Sequence, residues 1–303
     1  MNAERFIDHP VGIITNVSKP TAAEATRRTL AALHERGIRW RLERSTATCI
    51  GKVDEGMALE CLLPEVAWII AIGGGGKILQ TARTTAHYNL PLLGVNPGQS
   101  FGFMTDTPIE DLSQTLDDIF NGNFDILDRS TLQPVYYEAG TGKTIIMPRA
   151  LNDVTFIHGA HARLIELEVS VNGDFLTTYA VDGLIFATAT GSTAHSMSAG
   201  GPILFPSTEA FVMTPICPHT LTNRPIILPR GCAIEVKTSN GNREIHIAID
   251  GQVTRQFNAM DRVALKLGDC AHFIHSRRRT FVTVLQKKLH WRGHLKNNDL
   301  PQE

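Results

Sequence analysis

The chain has 303 residues, of which 43% are hydrophobic and 19% charged, and a formal net charge of −1. That length suits two domains of ordinary size better than one very large core. The near-neutral balance argues against nucleic acid or an anionic membrane as the main partner, and no apolar run approaches the roughly 18 residues needed to cross a bilayer.

The five cysteines (Cys49, Cys61, Cys217, Cys232 and Cys270) are scattered and odd in number, without a C-x-x-C pair. They read as ordinary thiols of a reducing compartment rather than a disulfide framework or a metal site. The opening "MNAERFIDHP" lacks the basic-then-apolar pattern of a secretory signal. The expectation is a cytoplasmic protein.

In chain order, "VGIITNV" (residues 11–17) predicts a buried strand. A helix follows in "SKPTAAEATRRTLAALHERG", capped by Thr21, carrying Leu30 and Leu33 inward and ending at Gly37. "VAWIIAI" (66–72) is a second continuous apolar run, suited to a strand covered on both faces, with the helical "LQTARTTAHYN" after it. "LPLLGVN" (90–96) is a third strand, and "PIEDLSQTLDDIFNG" predicts a helix from Pro108 to Gly122. Strands alternating with helices imply a parallel α/β sheet, with ligands beyond the carboxyl ends of its strands.

From about Thr131 the period becomes two. "LIELEVSVNGDFLTTYAV" alternates around Asn172-Gly173, and "AIEVKTSNGNREIHIAIDGQVTRQF" around Asn240-Gly241 and Asp250-Gly251, which are hairpin signals. The second domain is therefore expected to be mostly antiparallel β. "TFVTVLQKKLHW" spaces Phe281, Leu285 and Leu289 as a helix that packs back on the first domain, followed by a loose "GHLKNNDLPQE". The expected division is an α/β nucleotide-binding domain over 1–130, completed by 276–303, and a β-rich domain over 131–275.

"IAIGGGGKIL" places Gly73, Gly74, Gly75 and Gly76, then Lys77, directly after the second strand. Glycines there let backbone N–H groups approach a phosphate, with no Cβ in the way and positive φ permitted. The pattern is neither a Walker A loop, since Ile78 stands where Ser or Thr is required, nor a G-x-G-x-x-G. Taken alone it is equally compatible with a tight turn that binds nothing.

"DGLIFATATGSTAHSMSAGGPILFPS" (182–207) closely resembles the signature of the NAD kinase family. "ALNDVTF" (150–156) is similar to the family's N-[ED] segment, and "TPICPHTLTNRPIILP" (214–229) continues the likeness. "GGGGK" stands in place of the family's G-G-D-G-[TN], and "GVNPGQSFGF" (94–103) in place of its G-[IV]-N-x-G-x-x-G-F. The resemblance implies an N-terminal α/β domain, a C-terminal β-rich domain, a nucleotide site and a homodimer or homotetramer. It also implies transfer of a phosphoryl group from ATP to the 2′-hydroxyl of the adenosine ribose of NAD, with Mg2+ or another divalent cation.

Carried over position by position, the resemblance assigns phosphate contact to Gly73–Gly76. It assigns NAD binding to Asn96, Asn152, Asp153, Asp182, Thr190, Thr193, Ala194, His195, Ser198 and His219. The family's catalytic Asp is Gly75 here, and the next variable position is Lys77, a candidate phosphate contact or a solvated helix-start lysine. His195 replaces a Tyr, Ala189 a Pro, and the 94–103 loop carries an extra residue at Pro97. Three readings remain open at this point: an NAD kinase with an altered site, a dinucleotide-binding module without turnover, and a kinase for another nucleoside or nucleotide. His219 is equally readable as a carbonyl-bonded turn residue; Asp182-Gly183 also fits a hairpin turn, although its place at the head of the signature favours binding, and Arg277–Arg279 reads as a solvated run in preference to a phosphate contact.

Overall fold

The computed structural model describes residues 4–98, 102–105, 107–159, 164–220, 222–238 and 244–291. The chain forms two compact units: Met1–Ile78 with Pro91–Ile126 and Phe273–Glu303, and Leu79–Leu90 with Leu127–His272.

In the first unit the apolar runs form parallel strands in the order Trp40–Glu43, Val11–Thr15, Trp68–Ile72, Leu92–Asn96. Every residue of Val11–Thr15 and Trp68–Ile72 is buried, because helices cover both faces. Trp68 is fully enclosed, with Phe6 edge-on at 5.4 Å and Phe6 in turn edge-on to Phe124 at 5.1 Å. Each such side chain contributes about 1.5–3 kcal/mol by leaving water.

The helix Ala22–His34 forms as the sequence predicts, and Gly37 follows it at φ 66°. Thr21 does not cap it: it is itself in the helical region and its side chain makes no capping bond. Pro108 opens a single 3-10 turn, Ile109–Asp111, and the α-helix proper is Leu112–Phe120. The C-terminal helix Phe281–Lys288 belongs to this unit; Thr280 caps it, and the Phe281 ring lies 5.7 Å from that of Phe103. The three arginines before it are not merely solvated. Arg277 pairs with Asp125 at 2.7 Å, Arg278 with Asp118, and Arg279 with Asp111.

The second unit is antiparallel. Its six-stranded sheet runs Ile226–Pro229, Ala210–Ile216, Gly183–Thr188, Asp153–His158, Ile245–Ile249, Val253–Phe257. The strands Asp174–Val181, Ile165–Val171, Ile234–Lys237 and Arg262–Ser276 form a second antiparallel array. Phe156, Phe186 and Phe257 from the first meet Leu167, Val169 and Val236 from the second in one core. Asn172-Gly173, at φ 53° and 91°, and Asp250-Gly251, at 49° and 63°, close hairpins as expected.

The strands flanking Asn240-Gly241 do not pair with each other as a hairpin there would require. Ile234–Lys237 pairs with Ile165–Val171 and Arg262–Ser276, whereas Ile245–Ile249 pairs with Asp153–His158 and Val253–Phe257, so the two strands lie in different arrays. Residues 239–243 themselves lie outside the described residues, as do 99–101 of the 94–103 loop and the terminal segment from 292. Asp182-Gly183 is likewise no hairpin, since Asp174–Val181 and Gly183–Thr188 belong to different arrays.

Candidate active site

In the first unit, the glycine turn forms where three parallel strands end. Gly73 N–H donates to the Val95 carbonyl at 2.9 Å, and Asn16 N–H to that of Ile72 at 2.8 Å. A Cβ on Gly73 would lie 2.9 Å from Lys77 Cβ and 3.0 Å from Asn16 Cβ, so the turn closes only around a glycine there. None of the four glycines has positive φ. Their value is close approach and exposed backbone, not left-handed geometry, which corrects that part of the sequence reading.

Gly75 is the first residue of the helix Gly75–Ala86. Gly75 and Gly76 are exposed, and the first-turn amides of such a helix carry its positive end. Lys77 is half-buried rather than fully solvated. Burial pulls its ammonium down from the usual lysine range, with the nearby Glu43 carboxylate opposing that shift.

Glu43 is itself fixed: it accepts from the Ser45 and Thr46 amides, each at 3.0 Å, and from both hydroxyls. Burial would raise its carboxyl, but these bonds together hold it below the ordinary range. Asn96, at the end of Leu92–Asn96, accepts from Gly98 N–H at 2.9 Å and so shapes the loop that follows. A Cβ on Gly94 would lie 2.4 Å from the Met104 carbonyl, so the return of that loop also needs a glycine.

In the second unit the signature wraps the start of Asp153–His158. The Thr188 hydroxyl donates to the Leu151 carbonyl at 2.6 Å and accepts from Gly191 N–H at 3.0 Å, and Thr188 N–H donates to the Asn152 carbonyl at 2.9 Å. A Cβ on Gly191 would sit 2.0 Å from that same Asn152 carbonyl oxygen. The "TGST" turn therefore lies directly on the Asn152 backbone.

Thr193 donates to the Thr190 carbonyl at 3.1 Å, and Ala194 N–H to Gly191 at 2.9 Å, completing the turn. His195 opens the short helix His195–Ser198, with both His195 and Ser198 exposed. Ser196 and Ser192 are structural, bonding Thr214 at 2.9 Å and the Leu204 amide at 2.9 Å.

Among the described residues, two buried polar atoms here have no hydrogen-bond partner: Asn152 Oδ1 and Thr190 Oγ1. Buried polar atoms are nearly always bonded, so these two atoms, on segments whose backbones touch, are candidates for a ligand's polar groups. Asp153 is 5% exposed, and its Oδ1 accepts from the Thr155 hydroxyl at 3.0 Å. Burial pushes its carboxyl up to about 6; the Thr155 bond opposes this, the Asp250 charge adds to it, and His195 opposes it.

Sequence reasoning took Asp250 only as a turn residue. It is a fully buried carboxylate, 3.4 Å from Arg83. Nothing local in "IDGQV" signals this, because both functions of the residue fit an Asp-Gly pair.

Asn152, Asp153, Thr190, Thr193, Ala194 and His195 thus come together. Asp182 and His219 do not join them. Asp182 precedes the strand Gly183–Thr188 while Thr190 follows it, and six strand residues span about 20 Å. Asp182 N–H donates to the Ile216 carbonyl at 3.0 Å and His219 N–H to that of Ala180 at 3.0 Å, which puts both at the opposite end.

The family models for the ATP-NAD kinase N-terminal and C-terminal domains match residues 11–124 and 151–275. The chain is 36% identical to the NAD kinase of Syntrophotalea carbinolica over 284 residues, covering 93% of this chain and 98% of that protein. It is 36% identical to the NAD kinase of Geobacter sulfurreducens with the same coverage. Among solved structures it is similar in fold to yeast NADH kinase complexed with NADH, with a TM-score of 0.85 at 22% identity, over 97% of this chain and 90% of that one.

Proposed function

Because this chain belongs to the NAD kinase family, we propose that it transfers the γ-phosphoryl group of ATP to the 2′-hydroxyl of the adenosine ribose of NAD, giving NADP and ADP. The bond from the γ-phosphorus to the β-phosphate bridging oxygen breaks, a bond to the ribose oxygen forms, and the hydroxyl proton is released. The observation that carries this reading is that Asn152 Oδ1, in the 150–156 segment, and Thr190 Oγ1, in the 182–207 signature, are both buried with no hydrogen-bond partner among the described residues. One acceptor and one hydroxyl that have no protein partner suit the edges of a bound nucleotide.

The remaining roles follow from chemistry. Gly73 N–H is taken by the Val95 carbonyl, so the amides of Gly74 and Gly75 at the start of Gly75–Ala86 are the ones that suit the ATP phosphates, and Lys77 adds positive charge. Gly75 offers no carboxylate for the ribose hydroxyl. Phosphoryl transfer depends mostly on positioning and charge neutralisation, so it does not require a strong base. His195 is exposed just after the TGST turn, where its planar ring suits contact with the dinucleotide.

Among the described residues no three His, Cys, Asp or Glu side chains are grouped to hold a metal ion. Mg2+ arriving with ATP would keep phosphate and water ligands.

A homodimer or homotetramer is part of the reading. Asp182 and His219 lie a strand's length from Asn152, which suits a contribution to a neighbouring copy's site. Light scattering after size exclusion tests it, and a monomer at working concentration refutes it. No helix among the described residues is long and apolar enough to cross a membrane, and we place the reaction in the cytoplasm. The central test is incubation of the purified protein with ATP, Mg2+ and NAD, reading NADP with an NADP-specific dehydrogenase. NAD binding with no NADP at high enzyme concentration overturns the reaction.

A further inference from the structure

Asp250 is the first of the three residues between Ile245–Ile249 and Val253–Phe257, at φ 49°, in a turn closed by Gln252 N–H donating to the Ile249 carbonyl at 2.9 Å. Aspartate tolerates the left-handed region there, so turn geometry alone accounts for the residue type. It does not account for the side chain. The carboxylate is 0% exposed, and Oδ1 accepts from the amides of Asn152 at 2.7 Å and Asp153 at 3.1 Å, while Oδ2 accepts from Leu151 at 3.1 Å. The amide of Asp250 donates back to the Asp153 carbonyl at 2.9 Å.

Three consecutive amides converging on one anion make a nest that fixes the backbone dihedrals of 151–153. Those dihedrals set the directions in which the Asn152 and Asp153 side chains leave the chain. Arg83 completes the arrangement, with Nη1 3.4 Å from Asp250 Oδ2 and Nη2 donating at 2.6 Å to Gln252 Oε1. Arg83 stands on the helix that Gly75 opens.

We propose that Asp250 is a positioning residue for the dinucleotide: its carboxylate aims Asn152 Oδ1 and the Asp153 carboxyl at the ligand, and Arg83 keeps that carboxylate in place. This rests on the reading that Asn152 and the TGST turn beside it take NAD. A carboxylate whose task was only to close the hairpin would have no need of amides from a different segment. The arrangement also explains how an orphaned Asn152 oxygen is kept from turning to an internal partner: its backbone is pinned on both sides.

The test uses Asp250→Asn and Arg83→Gln in the full chain. Asn at 250 keeps one acceptor but turns an NH2 toward the Leu151 amide and Arg83, setting donor against donor. The expected result is a rise of about tenfold or more in the calorimetric Kd for NAD, with the KM for ATP within about twofold of the native value. Arg83→Gln moves the same constant in the same direction by less, and the double variant is no worse than Asp250→Asn alone. If Asp250→Asn fails to melt cooperatively, Arg83→Gln decides.

A folded variant with NAD affinity within about twofold of native, or with equal losses toward ATP and NAD, overturns the proposal. A native protein that binds NAD without making NADP defeats the reaction reading while the Kd comparison still decides this one. A native protein that does not bind NAD defeats both.

Discussion

A Cβ built on Gly75 would lie 3.8 Å from the Met104 methyl carbon, at ordinary van der Waals contact and with nothing closer. Position 75 therefore has room for a side chain, and its φ is not positive. As the first residue of a helix it also favours a negative charge.

Gly75→Asp is expected to fold normally and to raise NADP formation at least about tenfold, or about 1.4 kcal/mol in the transition state. Residues two apart on a helix do not face each other, so Lys77 is not placed to capture the new carboxylate. Gly75→Asp with Lys77→Thr should then match the single change in kcat/KM. A single variant that folds, binds both substrates and gains nothing shows that a carboxylate at 75 is not what limits the site.

Asp153 supplies a pH signature. Its folded carboxyl titrates at about 6 against 3.8 for the ordinary value, so folding favours the neutral form. Stability from this group is fully present below about pH 4 and is lost as pH rises through 6. At pH 8 the buried charge costs on the order of 3 kcal/mol. Asp153→Asn should therefore be more stable than the native protein at pH 8 and equal to it near pH 4, by urea denaturation at each pH. The same variant should bind NAD more weakly. A difference in stability that does not change between those pH values refutes the titration.

Thr190→Val separates stability from function in the same way. The hydroxyl is buried and unpartnered, so replacing it with a methyl group of the same shape should leave the melting temperature unchanged or higher. The Kd for NAD should rise about tenfold. Loss of stability with no change in NAD affinity counts against a ligand-facing hydroxyl.

Gly191→Ala is the complementary case. The added carbon would meet the Asn152 carbonyl oxygen at 2.0 Å and its carbon at 2.4 Å, both backbone atoms. Neither can give way like a flexible side chain, so a loss of about 3 kcal/mol is expected in chemical denaturation, with NAD binding impaired as well. A variant of native stability shows that the turn does not lie on Asn152 as described.

These residues also mark what a sequence can reveal. Val11–Thr15, Trp68–Ile72 and Asn172-Gly173 were legible because strand burial and two-residue turns are local properties, written in runs and dipeptides. Asn240-Gly241 carried the same turn signal and misled, because its flanking strands belong to different arrays, and array membership is decided by distant pairing. The glycine run was legible as a place without room for a Cβ, and at Gly73 the contacts are with Asn16 and Lys77; the positive φ that glycine also permits is not used there. The Asp250 nest was invisible: its donors are about a hundred residues away, and the Asp-Gly pair already had a sufficient explanation.

The pairing of Arg277, Arg278 and Arg279 with Asp125, Asp118 and Asp111 has a consequence at the bench. Opposite charges held a few ångströms apart form dipoles whose field fades much faster than that of free cations. The most basic tripeptide in the chain is then nearly silent toward a polyanion. Immobilised heparin should not retain the protein through this segment, and breaking the pairs with Asp118→Asn and Asp125→Asn should create retention where there was none.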